Sequence, residues 1–195
     1  MVTKSIQIKE LTDTAGEARE LLEKAQQAYG FIPNLLGVMA NAPSTLKGYM
    51  TLAGIFDETT LSPTERQIVL LTVSFENECT YCMAAHSAIA GMQKVDSEII
   101  TALREGKPIV DDKLEALRRF TREIIKTRGW PSEEVKNHFL EVGYEPSAML
   151  EVVLGVSLKI LSNYTNHLAD TKLDENFKEM AWSKSSCENS SCGCS

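Results

Sequence analysis

Residues 61–91 read LSPTERQIVLLTVSFENECTYCMAAHSAIAG, and the secondary structure of this stretch decides the fold. Its core, IVLLTVSF, is β-branched enough to make a buried strand. The flank argues for a helix instead. Ser62, Pro63 and Glu65 supply a serine cap, a proline at the first position, where its missing N–H costs nothing, and a glutamate able to reach back to the cap. The reading is a helix over 61–77 and a second from about Cys79 to Met92.

The neighbouring segments agree. Thr14 and Glu17 form a capping-box pattern ahead of AGEARELLEKAQQAYG, and Gly30 is a natural stop. Pro33 and Pro43 each suit the first turn of a short helix. A further helix is expected from near Asp96 to Gly106. Asp111 to Gly129 is amphipathic, with Leu114, Leu117, Phe120, Ile124 and Ile125 on one face. Trp130-Pro131-Ser132 breaks that helix and starts one ending at Gly143. Pro146 to Leu168 is apolar nearly all round and reads as the central buried helix, and a last helix is expected over Leu173 to Trp182. No hairpin signal or repeat interrupts the pattern. The expected fold class is all-α: one helical-bundle domain over 1–182, with a CxxC pair at the N-terminus of a helix.

Composition bounds the function. At 195 residues with 43% hydrophobic and 24% charged content, the chain is an ordinary globular domain that needs no staples. Its 20 basic against 27 acidic residues give a net charge of −7, which repels phosphate backbones and disfavours a polybasic membrane anchor. The first fifteen residues lack an apolar signal core, and the greasiest stretch, Ala148 to Leu161, carries Glu151 and Lys159 and is too short to span a bilayer. The expectation is a cytoplasmic protein with neither nucleic acid nor membrane as partner. Five cysteines in such a chain point to redox or metal chemistry rather than structural disulfides.

The chemistry concentrates in ECTYCMAAH, residues 78–86. At about 100° per residue, Cys79, Cys82 and His86 fall within about 60° of one another on one helix face. Two thiols can meet there as a disulfide, with an imidazole one turn on. A helix N-terminus and a nearby histidine both lower a thiol pKa. Cys79 is closer to the helix start and Cys82 closer to His86. A CxxC pair is also half of a zinc site, which the tail cysteines could complete.

The Ser-Pro-capped helix followed by CxxCxxxH resembles the alkylhydroperoxidase D-like branch of the carboxymuconolactone decarboxylase family. Agreement is strong over 61–91 and extends to FIPNLLGVMANAP before it and NYTNHLADTKLD after it. The decarboxylases proper lack the CxxC pair, so lactone chemistry is not implied. The resemblance implies an all-α fold, a homo-oligomer (trimer or hexamer) and thiol peroxidase or disulfide reductase activity. It implies Cys82 as the thiol that attacks peroxide, Cys79 as the resolving thiol and His86 as the base. Family members often carry a relay glutamate twelve residues before the first cysteine, where this chain has Gln67. Glu65 is the nearest carboxylate, as a helix cap or as the relay; Glu76 and Glu78 lie in the turn before the thiols.

The expected partners are a hydroperoxide substrate and a dithiol reductant, protein or small thiol. No flavin, haem or nucleotide motif is present, so no cofactor is expected. A general disulfide reductase or redox adaptor is the alternative activity.

His167 reads as a core or interface residue and His138 as surface; Met39, Met50, Met83 and Met92 read as core or interface. Residues 183–195, SKSSCENSSCGCS, hold six serines and three cysteines and no aliphatic side chain, so they read as a flexible tail. Cys187, Cys192 and Cys194 could bind a soft metal or metalloid, shuttle disulfides to Cys79 and Cys82, or be incidental.

Overall fold

A computed structural model describes residues 5–184. Among the described residues, nine α-helices run in order: α1 Gly16–Tyr29, α2 Asn34–Met39, α3 Pro43–Asp57, α4 Pro63–Glu76, α5 Thr80–Met92, α6 Ser97–Glu105, α7 Asp112–Lys126, α8 Glu133–Glu141 and α9 Pro146–Ala169. Short 3-10 turns at Leu11–Asp13 and Glu175–Met180 flank them, and the described residues contain no strand. The fold is an all-α bundle.

The deciding stretch is helical for the reason its flank suggests. The Glu65 amide donates to Ser62 Oγ (3.3 Å), and Glu65 Oε2 accepts from the Ser62 amide (2.8 Å), closing the capping box. Such a cap is worth about 1 kcal/mol. The β-branched run is buried: Ile68, Val69, Leu71 and Val73 are all fully enclosed. Helix α4 is thereby the centre of the bundle, packed against α5, α7 and α9. Tertiary burial outweighs the small helix penalty of its β-branched residues.

A tight turn carries the chain from α4 into α5. Glu78 adopts a left-handed φ of 55°, its amide donates to Phe75 O (3.1 Å), and the Cys79 amide donates to Ser74 O (2.9 Å). This paired pattern ends one helix, and Cys79 at once caps the next: the Met83 amide donates to Cys79 O across 3.0 Å.

Two cores result. The larger surrounds α4, α7 and α9 and includes Phe56, Leu117, Phe120 and Phe139. The smaller joins α1, α2 and α5 and contains both Cys79 and Cys82. Gly155 lets α9 lie close to α3 and α4; an added Cβ there would sit 2.7 Å from Phe56 Cε2 and 2.8 Å from Val69 Cγ1.

Several local expectations are corrected. Thr14 and Glu17 make no capping box, because Thr14 Oγ1 donates back to the Glu10 and Leu11 carbonyls and Ala15 occupies the cap position. Pro33 caps α2 rather than opening it, and α3 is a full helix of 15 residues. The helix expected over 111–129 ends at Lys126. The last helix is only a 3-10 run, since Asp174 turns its carboxylate to the Asn34 amide and the Tyr81 hydroxyl instead of capping the turn after it. Helix α9 is not buried all round. Leu150, Val153, Tyr164 and Leu168 are exposed along one side, while Lys159, Ser162, Asn163 and Asn166 are buried on another. Met39 and Met83 are core and Met50 is half-buried, whereas Met92 is exposed. The tail from Ser185 on, with Cys187, Cys192 and Cys194, lies outside the described residues.

Candidate active site

Cys79 caps α5, and Cys82 sits in its first turn, where the unpaired backbone N–H groups favour an anion. Both sulfurs are buried, and neither is disulfide-bonded. Tyr81, between them, orients the turn. Its hydroxyl donates to Asp174 Oδ2 (2.6 Å) and accepts from the Leu35 amide (3.3 Å). Asp174 Oδ1 also accepts from the Asn34 amide at 3.0 Å. The segments PNLL and TKLD, 140 residues apart, thus meet at the thiol pair.

The opposite wall comes from α9. Asn166 Nδ2 lies 3.2 Å from Cys82 Sγ and 3.8 Å from Cys79 Sγ. Ser162 Oγ stands 3.8 Å from Cys82 Sγ. Lys159 is only 1% exposed, and its ammonium has no partner meeting hydrogen-bond geometry. An isolated buried ammonium costs several kcal/mol, so such a group implies an anion close by. Cys82 is the group that supplies it. Burial alone would push the Cys82 thiol up. The hydrogen bond from Cys79 and the charge of Lys159 outweigh burial and hold it well below its ordinary value. Cys79 moves the opposite way, raised by sharing its proton with Cys82 and by burial. The pair is therefore polarised, with the anion on Cys82 and the proton on Cys79.

His86 does not touch either sulfur through a hydrogen bond. Its Nδ1 is 3.0 Å from Gln67 Oε1, and Gln67 Nε2 donates to Gln93 Oε1 across 3.1 Å. With the Gln67 oxygen as acceptor, Nδ1 carries the proton of the neutral ring and Nε2 keeps its lone pair. Burial and then Lys159 hold the imidazole well below its usual pKa, so it is neutral at pH 7. The cation that supports the thiolate is Lys159, not an imidazolium. Half-buried Tyr49 lies near Cys82 as well, its phenol pushed up by burial and by that anion.

Glu65 is engaged in its helix cap and with Tyr144, and makes no hydrogen bond to His86. One carboxylate oxygen closes the capping box with Ser62, and the other accepts from the Tyr144 hydroxyl at 2.8 Å. Burial would raise its pKa, but the Ser62 and Tyr144 hydrogen bonds bring it below the usual carboxylate value. The residue facing His86 is Gln67, one helix face away. Glu76 pairs with Arg122 (2.8 Å) and Lys126 (3.4 Å), and Glu78 with Lys184 (2.8 Å). His167 is exposed beside Tyr164, and His138 is half-buried near Asp112. Among the described residues no cluster of three or more His, Cys, Asp or Glu side chains could hold a metal.

Lys159, Ser162 and Asn166 are the residues that sequence reasoning missed. Their spacing of i, i+3 and i+7 marks a polar stripe inside an apolar helix, a signal present in the chain but unread.

These features define an all-α protein with a polarised thiol pair at a helix start. Residues 43–126, from the first residue of α3 to the last of α7, match the model of the carboxymuconolactone decarboxylase family. That match covers less than half of the chain, and the bundle as a whole has the fold of alkylhydroperoxidase D-like proteins. The α9 wall of the site lies beyond the matched segment.

Among solved structures, the fold is similar to the alkylhydroperoxidase AhpD core of an uncharacterized peroxidase-related protein from Ralstonia eutropha JMP134. The TM-score is 0.78 at 19% identity, covering 87% of this chain and 92% of that one. The debrominase Bmp8, in complex with 2,3,4-tribromopyrrole, aligns at TM-score 0.77 and 15% identity over 92% of this chain and 96% of that one. An uncharacterized peroxidase-related protein from Silicibacter sp. TM1040 aligns at TM-score 0.76 and 18% identity over 91% of this chain and 97% of that one. No curated protein matches the sequence. No helix among the described residues is long and apolar enough to cross a membrane.

Proposed function

We propose that the protein is a thiol peroxidase that reduces a hydroperoxide through Cys79 and Cys82. The observation that carries this reading is the unequal setting of the two thiols: Asn166 Nδ2 lies 3.2 Å from Cys82 Sγ against 3.8 Å from Cys79 Sγ, with Lys159 buried on the same helix. A fold shared with a debrominase does not itself select peroxide. A stabilised thiolate with a protonated thiol beside it suits peroxide chemistry well.

The Cys82 thiolate attacks the distal peroxide oxygen, the O–O bond breaks, and the alkoxide leaves as alcohol once protonated. Cys82 becomes a sulfenic acid. The Cys79 sulfur then attacks the Cys82 sulfur, water leaves, and a Cys79–Cys82 disulfide remains. An external dithiol restores the pair by exchange. His86, neutral and held by Gln67, supplies the proton relay at the half-buried edge of the site. Its Nε2 accepts a proton while Nδ1 stays on the Gln67 oxygen.

The protein acts as a homo-oligomer in this reading. Leu150, Val153, Tyr164 and Leu168 are exposed on one side of α9, two toward each end of the helix. Exposed apolar patches of this kind mark interfaces. In this reading the protein works in the cytoplasm, where dithiol reductants return the pair to its thiol form.

The test is a stoichiometric peroxide pulse followed by thiol labelling and mass spectrometry. One peroxide should be consumed per Cys79–Cys82 disulfide formed. A disulfide that turns over with small disulfide substrates, while peroxide is left unconsumed, would replace this reading with that of a general disulfide reductase.

A further inference from the structure

Asn166, in the last turn of α9, uses only one end of its carboxamide. The residue is 5% exposed. Its backbone carbonyl accepts from the Asp170 amide and, at 3.2 Å, from the Thr171 amide, and these bonds close the helix. The side chain therefore hangs from a fixed point. Its Nδ2 reaches the thiol pair, 3.2 Å from Cys82 Sγ and 3.8 Å from Cys79 Sγ. Its Oδ1 is buried and has no hydrogen-bond partner among the described residues.

A thiolate can only accept, so the amide shows its NH2 to Cys82 and turns its oxygen elsewhere. Buried carbonyl oxygens are nearly always paired, because an unpaired one has lost its water for nothing. Asn166 Oδ1 is thus a spare acceptor beside the reacting sulfur. The same wall holds a spare donor, the buried Lys159 ammonium, whose charge acts on Cys82. An acceptor and a donor around one sulfur complement a molecule that offers a donor and an acceptor on adjacent atoms. A hydroperoxide is such a molecule: its O–H donates and its other oxygen accepts. A dialkyl peroxide has no O–H to give.

The distances let one oxygen atom meet both groups. The nitrogen and oxygen of a carboxamide are about 2.2 Å apart, so Oδ1 lies within about 5.4 Å of Cys82 Sγ. A peroxide oxygen needs about 2.8 Å to the accepting carbonyl and about 3.3 Å to the attacking sulfur. Those two reaches together exceed the gap, so the oxygen bonded to Asn166 is also poised for attack by Cys82.

We propose that Asn166 is a catalytic residue that binds the substrate: its Oδ1 accepts from the O–H of a hydroperoxide while its Nδ2 donates to the Cys82 sulfur, which selects hydroperoxides over dialkyl peroxides. The proposal deepens the peroxidase reading above and rests on it.

The step balances. The Cys82 thiolate attacks the oxygen that carries the hydrogen, and an S–O bond forms. The O–O bond breaks with its electron pair on the other oxygen, which leaves as alkoxide, or as hydroxide from hydrogen peroxide, and takes a proton from water. The hydrogen stays on the transferred oxygen as the sulfenic acid and still donates to Asn166 Oδ1. Cys82 is oxidised and the peroxide reduced by two electrons.

The test follows the loss of free Cys82 in the full chain, by quenching and mass mapping in a single turnover. One sample receives hydrogen peroxide, the other methyl methanethiosulfonate, which has no O–H or N–H. Both reagents consume the thiolate, so the ratio of their rates cancels any change in its population. In Asn166→Leu the ratio of peroxide to thiosulfonate rates should fall about tenfold, the loss of one buried hydrogen bond. Asn166→Asp keeps an acceptor and loses the donor. There both rates should drop with the thiolate, while their ratio stays close to that of the wild type. The aspartate is isosteric, so this arm stands even where the leucine variant fails to fold.

An unchanged ratio in Asn166→Leu would overturn the proposal, and so would a tenfold fall in the ratio for Asn166→Asp. Failure of the peroxidase reading looks different: the wild type itself would then lose Cys82 to the thiosulfonate and leave peroxide intact, removing the reading and the proposal together.

Discussion

Asn166 sets its side-chain amide 3.2 Å from the sulfur of Cys82, from a helix that begins more than sixty residues further along the chain. About two turns before it, Lys159 buries an ammonium beside the same sulfur. This wall makes a testable claim about charge. Lys159→Met should raise the titration midpoint of the Cys82 thiolate, followed by its absorbance near 240 nm. It should also lower peroxide reduction at pH 7 by about tenfold for each unit by which the thiol rises above the assay pH. Lys159→Arg should recover part of the loss. An unchanged midpoint in the methionine variant would remove Lys159 from the mechanism.

The same ionisation has a signature in stability. Cys82 titrates well below the ordinary thiol value of 9.0 in the fold, so the folded state holds fewer protons than the unfolded one between those two values. Its contribution is complete above the unfolded value and is lost as pH falls through the folded one. With both proteins reduced, the stability of wild type relative to Cys82→Ser should grow from pH 5 toward pH 9 in urea denaturation. A flat difference would mean that Cys82 is not selectively ionised.

The two cysteines should separate cleanly by mutation. Cys82→Ser is expected to abolish peroxide reduction, and Cys79→Ser to leave a sulfenic acid on Cys82 that a dimedone probe captures. Sulfenate on Cys79 in the reciprocal variant would reverse the roles.

Gln67 faces His86 where a carboxylate would complete a proton relay. Gln67→Glu should raise the imidazole pKa and increase peroxide reduction with a shifted pH profile. Glu65→Gln should leave the rate unchanged and cost about 1 kcal/mol of stability, because Glu65 serves the Ser62 cap and Tyr144. A large rate loss in Glu65→Gln would restore it to the relay.

Gly155 and the exposed side of α9 test the helix as a whole. Gly155→Ala drives a Cβ to 2.7 Å from Phe56 and should destabilise the fold by about 1–3 kcal/mol. It should also reduce activity, since Lys159 and Asn166 ride on the same helix. On the opposite side, light scattering should show an oligomer that Leu150→Glu/Leu168→Glu dissociates. A wild-type monomer at micromolar concentration would refute the assembly.

The local chemistry of the chain was enough to settle which segments are helical. Ser62-Pro63-Glu65 closes its cap within four residues, Gly30 and Gly106 take left-handed φ values of 78° and 68°, and Cys79, Cys82 and His86 share a face through helix geometry alone. These features depend on neighbours three or four residues away, so any reader of the sequence can find them. Tertiary structure decided what surrounds the sulfurs. Lys159 looked like a charge interrupting an apolar run, and its burial beside Cys82 depends on how closely α9 approaches α4 at Gly155. Glu65 reaches its cap through Ser62, three residues away, whereas Gln67 meets His86 and Gln93 only because α4 packs against α5. Asp174 stands just before the last 3-10 run, yet its carboxylate turns to Tyr81 and Asn34. Helix caps are local and strong enough to be written in a few residues. The ionisation of a buried thiol depends on charges brought from distant parts of the chain, and those are positioned only when the bundle closes.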